Sequence, residues 1–416
     1  EPVPDIYLPY PYIICQSLQQ SSHLHIMLLD SSLRIVLKAK LSQSHRQPVG
    51  EFGKEKGMSN LNVLASAGSR CDRPNPSKRV AELPFDALKG LKVLFVNMPL
   101  RESAKPNNAP LGPGLLAARA RNYGVQVSLL DLNAYRVKDE VTGDKPNGRW
   151  LTYEETNSLL ERHINRHGEP DIIALSGMIT TLRWQQFVVQ ACRRLVPNAF
   201  IISGGGLATD VKAGLFNWIP ELDAVVRSEG DDIMLLLAKD VLETKIYRRR
   251  GMSHLSECLG EINGRVRFLY EGNRPTDLDL LPVPAWDLLH RDVDGNPILE
   301  WYIGVPIWGL EANNSSATSF RMNRSMNTVA TWGCPYACKF CHRGAAGSRL
   351  YDLRSPEKLA EEALWLKRDY RIDFLGCVDD NFAVNTKHIA ALPEAFASLD
   401  GLRWGTHTRL DEAADE

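Results

Sequence analysis

Short apolar segments recur along residues 92–226, and each is followed by turn residues and a helical stretch. An apolar run of this length between turn residues is typical of a strand buried on both faces. Strands that alternate with helices form βαβ units, which build a parallel sheet. The pattern therefore predicts a doubly wound α/β domain over residues 89–245. Its predicted strands are 92–97, 125–130, 171–175, 200–202 and 224–226, and its predicted helices are 113–122, 152–167, 185–195 and 231–242.

The ends of these strands are rich in small or rigid residues. In a doubly wound sheet, ligands bind beyond the carboxyl ends of the strands. Small residues there let a bulky ligand approach the backbone. The same glycines can instead make tight strand-to-helix turns, and composition alone leaves both interpretations open. The strand ends carry Pro99, Ser176, Gly177, Ser203, Gly204, Gly205 and Gly206.

Strands and helices alternate again after residue 326, behind a connector predicted over 246–325. In that connector, Arg248–Arg250 form a solvated basic run, and residues 277–289 form an acidic, proline-bearing strap. The first helix of the second region begins well, with Ser355 as N-cap and Pro356 in the first turn. The predicted strands of this region are 328–332, 372–378 and 402–408, and its predicted helices are 355–369 and 386–397.

The chain before the first predicted strand has little periodicity. Residues 1–57 are predicted to be a poorly structured extension, and residues 58–88 a loop-like lead-in. The residues just before Met58 have purine-rich codons, as a bacterial ribosome-binding site has, so Met58 is a candidate start and 1–57 would be translated upstream sequence. A flexible N-terminal extension is the alternative. The chain starts without Met and stops without a closing element, and we expect both ends to be cut.

Composition bounds the class of protein. With 416 residues, the chain has room for about two to four domains. Lys and Arg number 49 and Asp and Glu number 50, so no basic excess points to nucleic acid. No apolar run reaches the ~18 residues of a membrane span. We expect no secretory signal, because the sequence does not open with a basic segment and an apolar core. Five of the eight cysteines are scattered and three are clustered, which favours the reducing cytoplasm and one local metal site.

The clustered cysteines carry the strongest chemical signal. They form the segment Cys334-Pro-Tyr-Ala-Cys338-Lys-Phe-Cys341 at the end of a predicted strand. Three thiolates this close can hold an iron–sulfur cluster from one loop, and three protein ligands leave one iron of a cubane open to a substrate. A structural zinc site is the alternative, but it requires four ligands, usually in paired CxxC motifs. The sequence has no second CxxC, and His342 is crowded by the adjacent Cys341.

The Cx3Cx2C motif, with an aromatic residue before its last cysteine and a β/α region after it, resembles that of the radical S-adenosylmethionine (SAM) superfamily. The α/β region before it resembles a cobalamin-binding domain of the Rossmann or flavodoxin type. Residues 326–416 would then be the N-terminal part of an incomplete β/α partial TIM barrel, with 378–382 as its second-strand motif. The resemblance to a cobalamin-binding radical SAM protein spans about 90–290 and 326–416. Its cobalamin-domain segments are 96–99, 110–112, 130–133, 176–178, 203–205, 226–230 and 281–286.

The resemblance implies a 4Fe–4S cluster, SAM and cobalamin as cofactors. The cluster would be held by Cys334, Cys338 and Cys341, with Tyr336 and Phe340 packed around it. One electron from the reduced cluster would cleave SAM to a 5′-deoxyadenosyl radical, which takes hydrogen from an unactivated carbon. In many members, methylcobalamin then delivers a methyl group. The electron would come from a donor such as flavodoxin or ferredoxin.

The resemblance also implies which residues bind the organic cofactors. The acidic pair Asp379 and Asp380 and the adjacent Asn381 lie at the carboxyl end of a predicted strand, where β/α barrels place active-site groups. They could receive the ammonium or the ribose of SAM. A favourable position at a helix N-terminus is the alternative for the acidic pair. The residues expected around cobalamin are Asn97, Pro99, Ser176, Gly177, Ser203, Gly204 and Gly205. No catalytic residue is assigned.

Two features depart from the family. Many cobalamin proteins carry Asp-x-His-x-x-Gly after the first strand, but no histidine occurs here between His45 and His163. This departure is common in the radical branch and is compatible with cobalamin that lacks a protein ligand. The family's partial barrel has six strands, but residues 326–416 predict only three, and only 75 residues follow Cys341. At ~30 residues per β/α unit, we expect about 90 or more residues to be missing.

The leading hypothesis is a radical SAM enzyme that transfers a methyl group to carbon or performs a radical cyclisation or rearrangement. The alternative is a non-catalytic cobalamin-binding protein or inactive fragment with a vestigial half barrel. A methylthiotransferase is set aside, since that family has three further ligand cysteines and residues 90–250 contain only Cys192. Cys377 is predicted to be a buried strand residue and not a ligand. The substrate, whether small molecule, lipid or peptide, and the oligomeric state are not readable from the sequence.

Overall fold

The computed structural model describes residues 76–100, 108–135, 149–247, 255, 257–275, 277–304, 322–338, 341 and 349–413. All of these residues belong to one compact unit. The extension predicted over 1–57, the proposed start at Met58 and the basic run Arg248–Arg250 lie outside the described residues. None of the described helices is both long and apolar enough to cross a membrane.

The larger sheet contains the predicted strands of the first region. It is formed by β1 (Lys92–Asn97), β2 (Gln126–Asp131), β3 (Ile172–Ser176), β4 (Phe200–Gly204), β5 (Ala224–Arg227), β6 (Cys258–Ile262) and β7 (Arg265–Glu271). The strand order is β2-β1-β3-β4-β5-β7-β6, and every neighbouring pair except β6 and β7 is parallel. The order 2-1-3-4-5 is that of flavodoxin-like doubly wound sheets. The five predicted strands are thus confirmed to within two residues.

The helices of this region include the four predicted ones, and they add a short helix before β1, in the segment predicted to be a loop-like lead-in, and two short helices between β4 and β5. The helices are α1 (Pro76–Ala81), α2 (Leu111–Asn122), α3 (Tyr153–His167), α4 (Leu182–Leu195), α5 (Gly206–Val211), α6 (Leu215–Trp218) and α7 (Ile233–Tyr247). Helix α3 starts with a capping box, in which Thr152 Oγ1 accepts the Glu155 N–H at 3.2 Å and the Glu155 carboxylate accepts the Thr152 N–H at 2.7 Å. Helix α3 packs beside α4, and α2 packs beside α7.

The connector predicted over 246–325 is partly wrong, because β6 and β7 continue the sheet as a hairpin beside β5. The alternation in this segment is disguised by an arginine in the middle of β7. The Arg267 side chain is fully buried, and its guanidinium donates hydrogen bonds to the carbonyls of Leu222 and Pro220. In the sequence, an arginine at this position interrupts the apolar pattern and indicates a loop. This explains why the hairpin was not predicted.

The second region contains a smaller parallel sheet. Its strands are β8 (Ser325–Thr328), β11 (Phe374–Cys377) and β12 (Arg403–Thr406), in the order β12-β11-β8. Helix α8 (Ile298–Ile303) precedes this sheet, and α9 (Pro356–Tyr370), α10 (Thr386–Ala395) and α11 (Leu410–Ala413) follow its strands. Strands β11 and β12 lie within the predicted strands 372–378 and 402–408, and Cys377 is fully buried in β11. Ser355 caps α9 by accepting the Lys358 N–H at 3.2 Å.

The single strand predicted over 328–332 is wrong. Strand β8 ends at Thr328, and a separate strand, β9 (Thr331–Gly333), pairs antiparallel with β10 (Tyr351–Leu353). The break arises because Asp379 accepts hydrogen bonds from the backbone N–H groups of Ala330 and Thr331, which turns the chain away from β11. The three clustered cysteines therefore lie in the connection between β9 and β10. We call residues 334–350 the cysteine loop.

Candidate functional site

The carboxyl edge of the larger sheet has the topology of a ligand crevice. Strand β1 pairs with β2 on one side and with β3 on the other. Successive strands are therefore added to the sheet in one direction before β3 and in the opposite direction from β3 onward. Such a switch point leaves a crevice outside the carboxyl ends of the strands. The side chains that follow β1, β3, β4 and β5 therefore decide what this edge can bind.

A cavity of about 240 Å³ lies at this edge, beyond the ends of β3, β4 and β5. We call it the edge cavity. Its walls are mainly apolar, with Leu115 and Leu116 of α2 on one side and Met234 of α7 on another. Its polar lining includes Ser176, Ser228, Glu229 and Asp231. An apolar cavity with a few polar groups is typical of cofactor sites.

Of the residues expected around cobalamin, three line the edge cavity: Ser176, Gly204 and Gly205. Gly205 has φ +82°, and a Cβ there would lie 3.1 Å from the Gly177 carbonyl oxygen. The turns after β3 and β4 therefore touch each other, and a side chain at Gly205 would both strain the backbone and push them apart. Gly204 and Gly205 line the cavity without side chains, so a bound molecule could contact their backbone.

Two further predicted residues serve packing. The fully buried Ser203 directs its hydroxyl to Gln185 Oε1 of α4, at 2.7 Å. A Cβ at Gly177 would lie 2.2 Å from Thr181 Oγ1, so any larger residue there would displace the Thr181 hydroxyl. Neither Ser203 nor Gly177 is among the residues that line the cavity. Their structural role is to fix the turn between β3 and α4.

The end of β1 is held by a buried polar network. Asn97 donates its amide to Asp131 Oδ1 at 2.8 Å, and the Tyr302 hydroxyl donates to Asp131 Oδ2 at 2.5 Å. Asn133 Oδ1 accepts the N–H of Leu100 at 2.8 Å. Burial raises the pKa of Asp131 to about 6, although these hydrogen bonds oppose the shift. The side chain of Asn97 is thus used within the network. Pro99 is buried and lies outside the cavity lining.

Two carboxyl groups line the cavity after β5. Burial raises the pKa of Asp231 to about 6, and the neighbouring Glu229 raises it further. Burial also raises the pKa of Glu229, against the opposing charge of Arg274. The sequence segment 226–230 was part of the family resemblance, but neither carboxyl group was predicted as a ligand. Both can accept hydrogen bonds from amide groups of a bound molecule.

Trp332 connects the edge cavity to the cysteine loop. This half-buried residue of β9 lines the cavity and lies two residues before Cys334. Its carbonyl accepts a hydrogen bond from Arg274, which also forms an ion pair with Asp352 of β10 at 2.9 Å. Arg274 follows β7 of the larger sheet, so one arginine fixes both strands that flank the cysteine loop. Sequence reasoning missed Trp332 and Arg274 because neither belongs to a recognised motif.

The cysteine loop offers thiols of suitable chemistry for an iron–sulfur cluster. Cys334 and Cys338 are half-buried, Cys341 is exposed, and none of the three is in a disulfide. The Cys341 N–H donates to the Cys338 carbonyl at 3.1 Å, which forms a turn between the last two cysteines. Within the described residues, no three His, Cys, Asp or Glu side chains are already arranged around one metal position. Three free thiols fit the ligands of a 4Fe–4S cluster. That the three thiols come together around one cluster is a prediction.

The residues predicted to bind SAM divide into supporting and exposed positions. Asp379 is buried, and its Oδ1 accepts a hydrogen bond from the Ala330 N–H at 2.8 Å. Burial raises the pKa of Asp379 to about 6. Asn381 is buried and joins two chain segments, since its Nδ2 donates to Glu412 at 3.2 Å and its Oδ1 accepts from Thr408 at 3.0 Å. Asp380 is exposed at the end of β11. Of the three, Asp380 has the side chain best placed for a ligand.

Comparison with known proteins gives sequence relatives but no matching family model. The chain is 24% identical over 309 residues to an uncharacterized methyltransferase of Pyrococcus horikoshii, which covers 72% of this chain and 56% of that protein. It is 24% identical over 251 residues to the anaerobic magnesium-protoporphyrin IX monomethyl ester cyclase of Cereibacter sphaeroides, covering 59% and 37%. It is 26% identical over 243 residues to the cobalamin-dependent radical SAM methyltransferase TokK of Streptomyces tokunonensis, covering 56% and 31%.

The chain therefore spans between 31% and 56% of the length of these relatives. Its fold is similar to that of OxsB, a cobalamin-dependent SAM radical enzyme solved with aqua-cobalamin and SAM bound. The TM-score is 0.54 at 15% identity, over 79% of this chain and 40% of that chain. At this identity the structural likeness supports the mixed α/β fold alone. The sequence relatives confirm the predicted resemblance to radical SAM proteins with a cobalamin-binding domain.

Proposed function

We propose, from its similarity to cobalamin-dependent radical SAM proteins, that this chain carries the cobalamin-binding and cluster-binding parts of a radical SAM methyltransferase. One observation carries the proposal: the edge cavity of a flavodoxin-like sheet is lined by Trp332, and the Cx3Cx2C loop begins two residues later. A cobalamin site and a cluster site would then adjoin each other. A radical cyclisation is the second candidate, because one relative is named as a cyclase.

In this proposal, Cys334, Cys338 and Cys341 hold a 4Fe–4S cluster, and the edge cavity receives part of the cobalamin ring. The bound cofactors supply an electron that cleaves SAM and a methyl group for transfer. The protein contributes the apolar walls of the cavity, which exclude water, and the close backbone wall at Gly204 and Gly205. Asp380 would contact the ammonium or ribose of SAM, and flavodoxin or ferredoxin would supply the electron.

The cavity lining bears on how cobalamin would be bound. Among the described residues, none of those that line the edge cavity is a histidine. Cobalamin would therefore bind without a histidine ligand from this wall. The carboxyl groups of Glu229 and Asp231 would accept hydrogen bonds from its amide side chains, which fits the cavity's two acceptors and mainly apolar lining.

The test is anaerobic reconstitution of the full chain with iron, sulfide and cobalamin. We expect about four irons per chain, the absorption bands of bound cobalamin, and 5′-deoxyadenosine after reduction with SAM. Cys334→Ala should abolish the cluster and the 5′-deoxyadenosine. The matched control is Cys258→Ala in β6, a half-buried cysteine outside the loop, which should change neither.

Two results would contradict the proposal. Cobalamin binding that persists without any cluster, in both the parent chain and C334A, would support a non-catalytic cobalamin-binding protein. A cluster that forms without cobalamin binding would remove the methyltransferase assignment and leave a radical SAM protein of another type.

A further inference from the structure

A side chain from outside the cysteine loop contacts one of the three cysteines, and it comes from the carboxyl end of β12. Arg409 Nη1 donates a hydrogen bond to Cys338 Sγ at 3.3 Å. The central carbon of the same guanidinium lies 4.0 Å from the centre of the Tyr336 ring, within cation–π distance. Arg409 lies just after β12, the third strand of the smaller sheet, and about 70 residues after Cys338, and no motif in the sequence pointed to it.

The neighbours of Arg409 fix which of its nitrogens faces the sulfur. Asp411 accepts from Nε at 3.0 Å and from Nη2 at 2.6 Å, which leaves Nη1 directed at Cys338. The backbone N–H of Arg409 donates to Asn381 Oδ1 at 3.3 Å. The guanidinium is therefore oriented by a carboxylate on one edge, a tyrosine ring on one face and a buried asparagine at its backbone.

We propose that Arg409 is a positioning residue of the iron–sulfur site, which holds Cys338 in place and raises the reduction potential of the cluster. Hydrogen bonds to the sulfurs and nearby charge are established determinants of cluster potential. Reduction adds a negative charge to the cluster, and an N–H donor with a positive charge stabilises that added charge. The inference rests on the proposed function, since it requires Cys338 to be a cluster ligand.

Asp411 should shift the reduction potential of the cluster in the direction opposite to Arg409. Its carboxylate neutralises the guanidinium from the side away from the sulfur, so it partly cancels the effect of Arg409. Because Coulomb energy falls with distance, the nearer positive charge prevails at the sulfur. Removing the carboxylate should therefore raise the potential, whereas removing the guanidinium should lower it.

The experiment is a redox titration of the reconstituted full chain, followed by electron paramagnetic resonance. Arg409→Gln should lower the midpoint potential by about 59 mV, which is a tenfold loss in the one-electron reduction equilibrium. Asp411→Asn should raise the potential. The matched control is Arg368→Gln, which breaks an exposed Arg–Asp pair on α9 and should leave the potential unchanged.

The outcomes separate this inference from the proposed function. Equal potentials in all variants, or shifts of the same sign in R409Q and D411N, would overturn the inference while the cluster assignment stands. A parent chain that assembles no 4Fe–4S cluster would overturn both. If R409Q does not fold, the sign of the D411N shift decides: a rise supports the inference and a fall overturns it.

Discussion

Asn97 is a predicted ligand-binding residue whose side chain already has a partner within the protein. The sequence places Asn97 at the end of β1, where a ligand contact is expected. In the structure, its amide is used by the carboxylate of Asp131, which also accepts from Tyr302 in the distant helix α8. A side-chain partner about 170 residues away leaves no trace in local spacing, so this network could not be predicted from one sequence.

The buried Asp131 carboxyl predicts a specific pH dependence of stability. Its pKa is about 6 in the folded chain and ~3.9 in an unfolded one. The folded state therefore binds more protons between these values, and stability falls as pH rises from about 4 to 6. Relative to Asp131→Asn, the parent chain should lose about 2 kcal/mol of stability between pH 4.5 and pH 7. Urea denaturation at pH 4.5 and 7 checks this, and a pH-independent difference would contradict it.

At the scale of a turn, Gly205 and Gly206 form a matched pair. Gly205 has φ +82° and faces the Gly177 carbonyl, whereas a Cβ at Gly206 would meet nothing within 4 Å. Gly205→Ala should therefore reduce the free energy of unfolding by about 1–3 kcal/mol. Gly206→Ala, in the first turn of α5, should be neutral or stabilise by up to about 1 kcal/mol. Thermal melting compares them, and equal effects would show that the wall after β4 is not tightly constrained.

At the scale of a helix, the capping box of α3 predicts a measurable loss. Thr152→Ala removes the acceptor for the Glu155 N–H and should cost about 0.5–2 kcal/mol of stability. Glu161→Ala, an exposed change in the middle of the same helix, should stay within about 0.5 kcal/mol. The measurement is chemical denaturation of both variants. A larger loss for E161A than for T152A would contradict the capping assignment.

The elements that could be predicted are those whose signals are local. The five strands β1–β5 are apolar runs ended by turn residues, and α9 carries its own cap at Ser355, so each was predicted to within a few residues. The hairpin β6–β7 and the break between β8 and β9 depend on distant partners, through Arg267 and Asp379. The strand pattern predicted a ligand site at the carboxyl edge of the larger sheet. It could not predict that Trp332 lines this site, because Trp332 comes from a distant strand.

At the scale of the whole molecule, residues of the predicted connector join the two regions. Glu300 of α8 forms a bidentate pair with Arg324 at 2.8 and 2.9 Å, just before β8. Asp279, in the acidic strap, accepts the N–H of Ser355 at 2.7 Å, at the start of α9. Arg274 holds β9 and β10. The connector is therefore attached to the second region at three places: before β8, at the start of α9, and at β9 and β10.

Arg274 is the attachment nearest the cysteine loop, and its removal should loosen that loop selectively. Arg274→Gln breaks the ion pair with Asp352 and weakens the bond to the Trp332 carbonyl. Charge-assisted bonds contribute about 1.5–3 kcal/mol each, so amide exchange at residues 331–338 and 349–353 should accelerate at least tenfold. Arg121→Gln, which removes an exposed pair with Asp287, should leave this exchange unchanged.

Hydrogen–deuterium exchange of both variants tests whether Arg274 holds the cysteine loop in place. Acceleration spread over the whole chain in R274Q would indicate global destabilisation, and unchanged exchange in the loop segments would show that other contacts hold the cysteines in place.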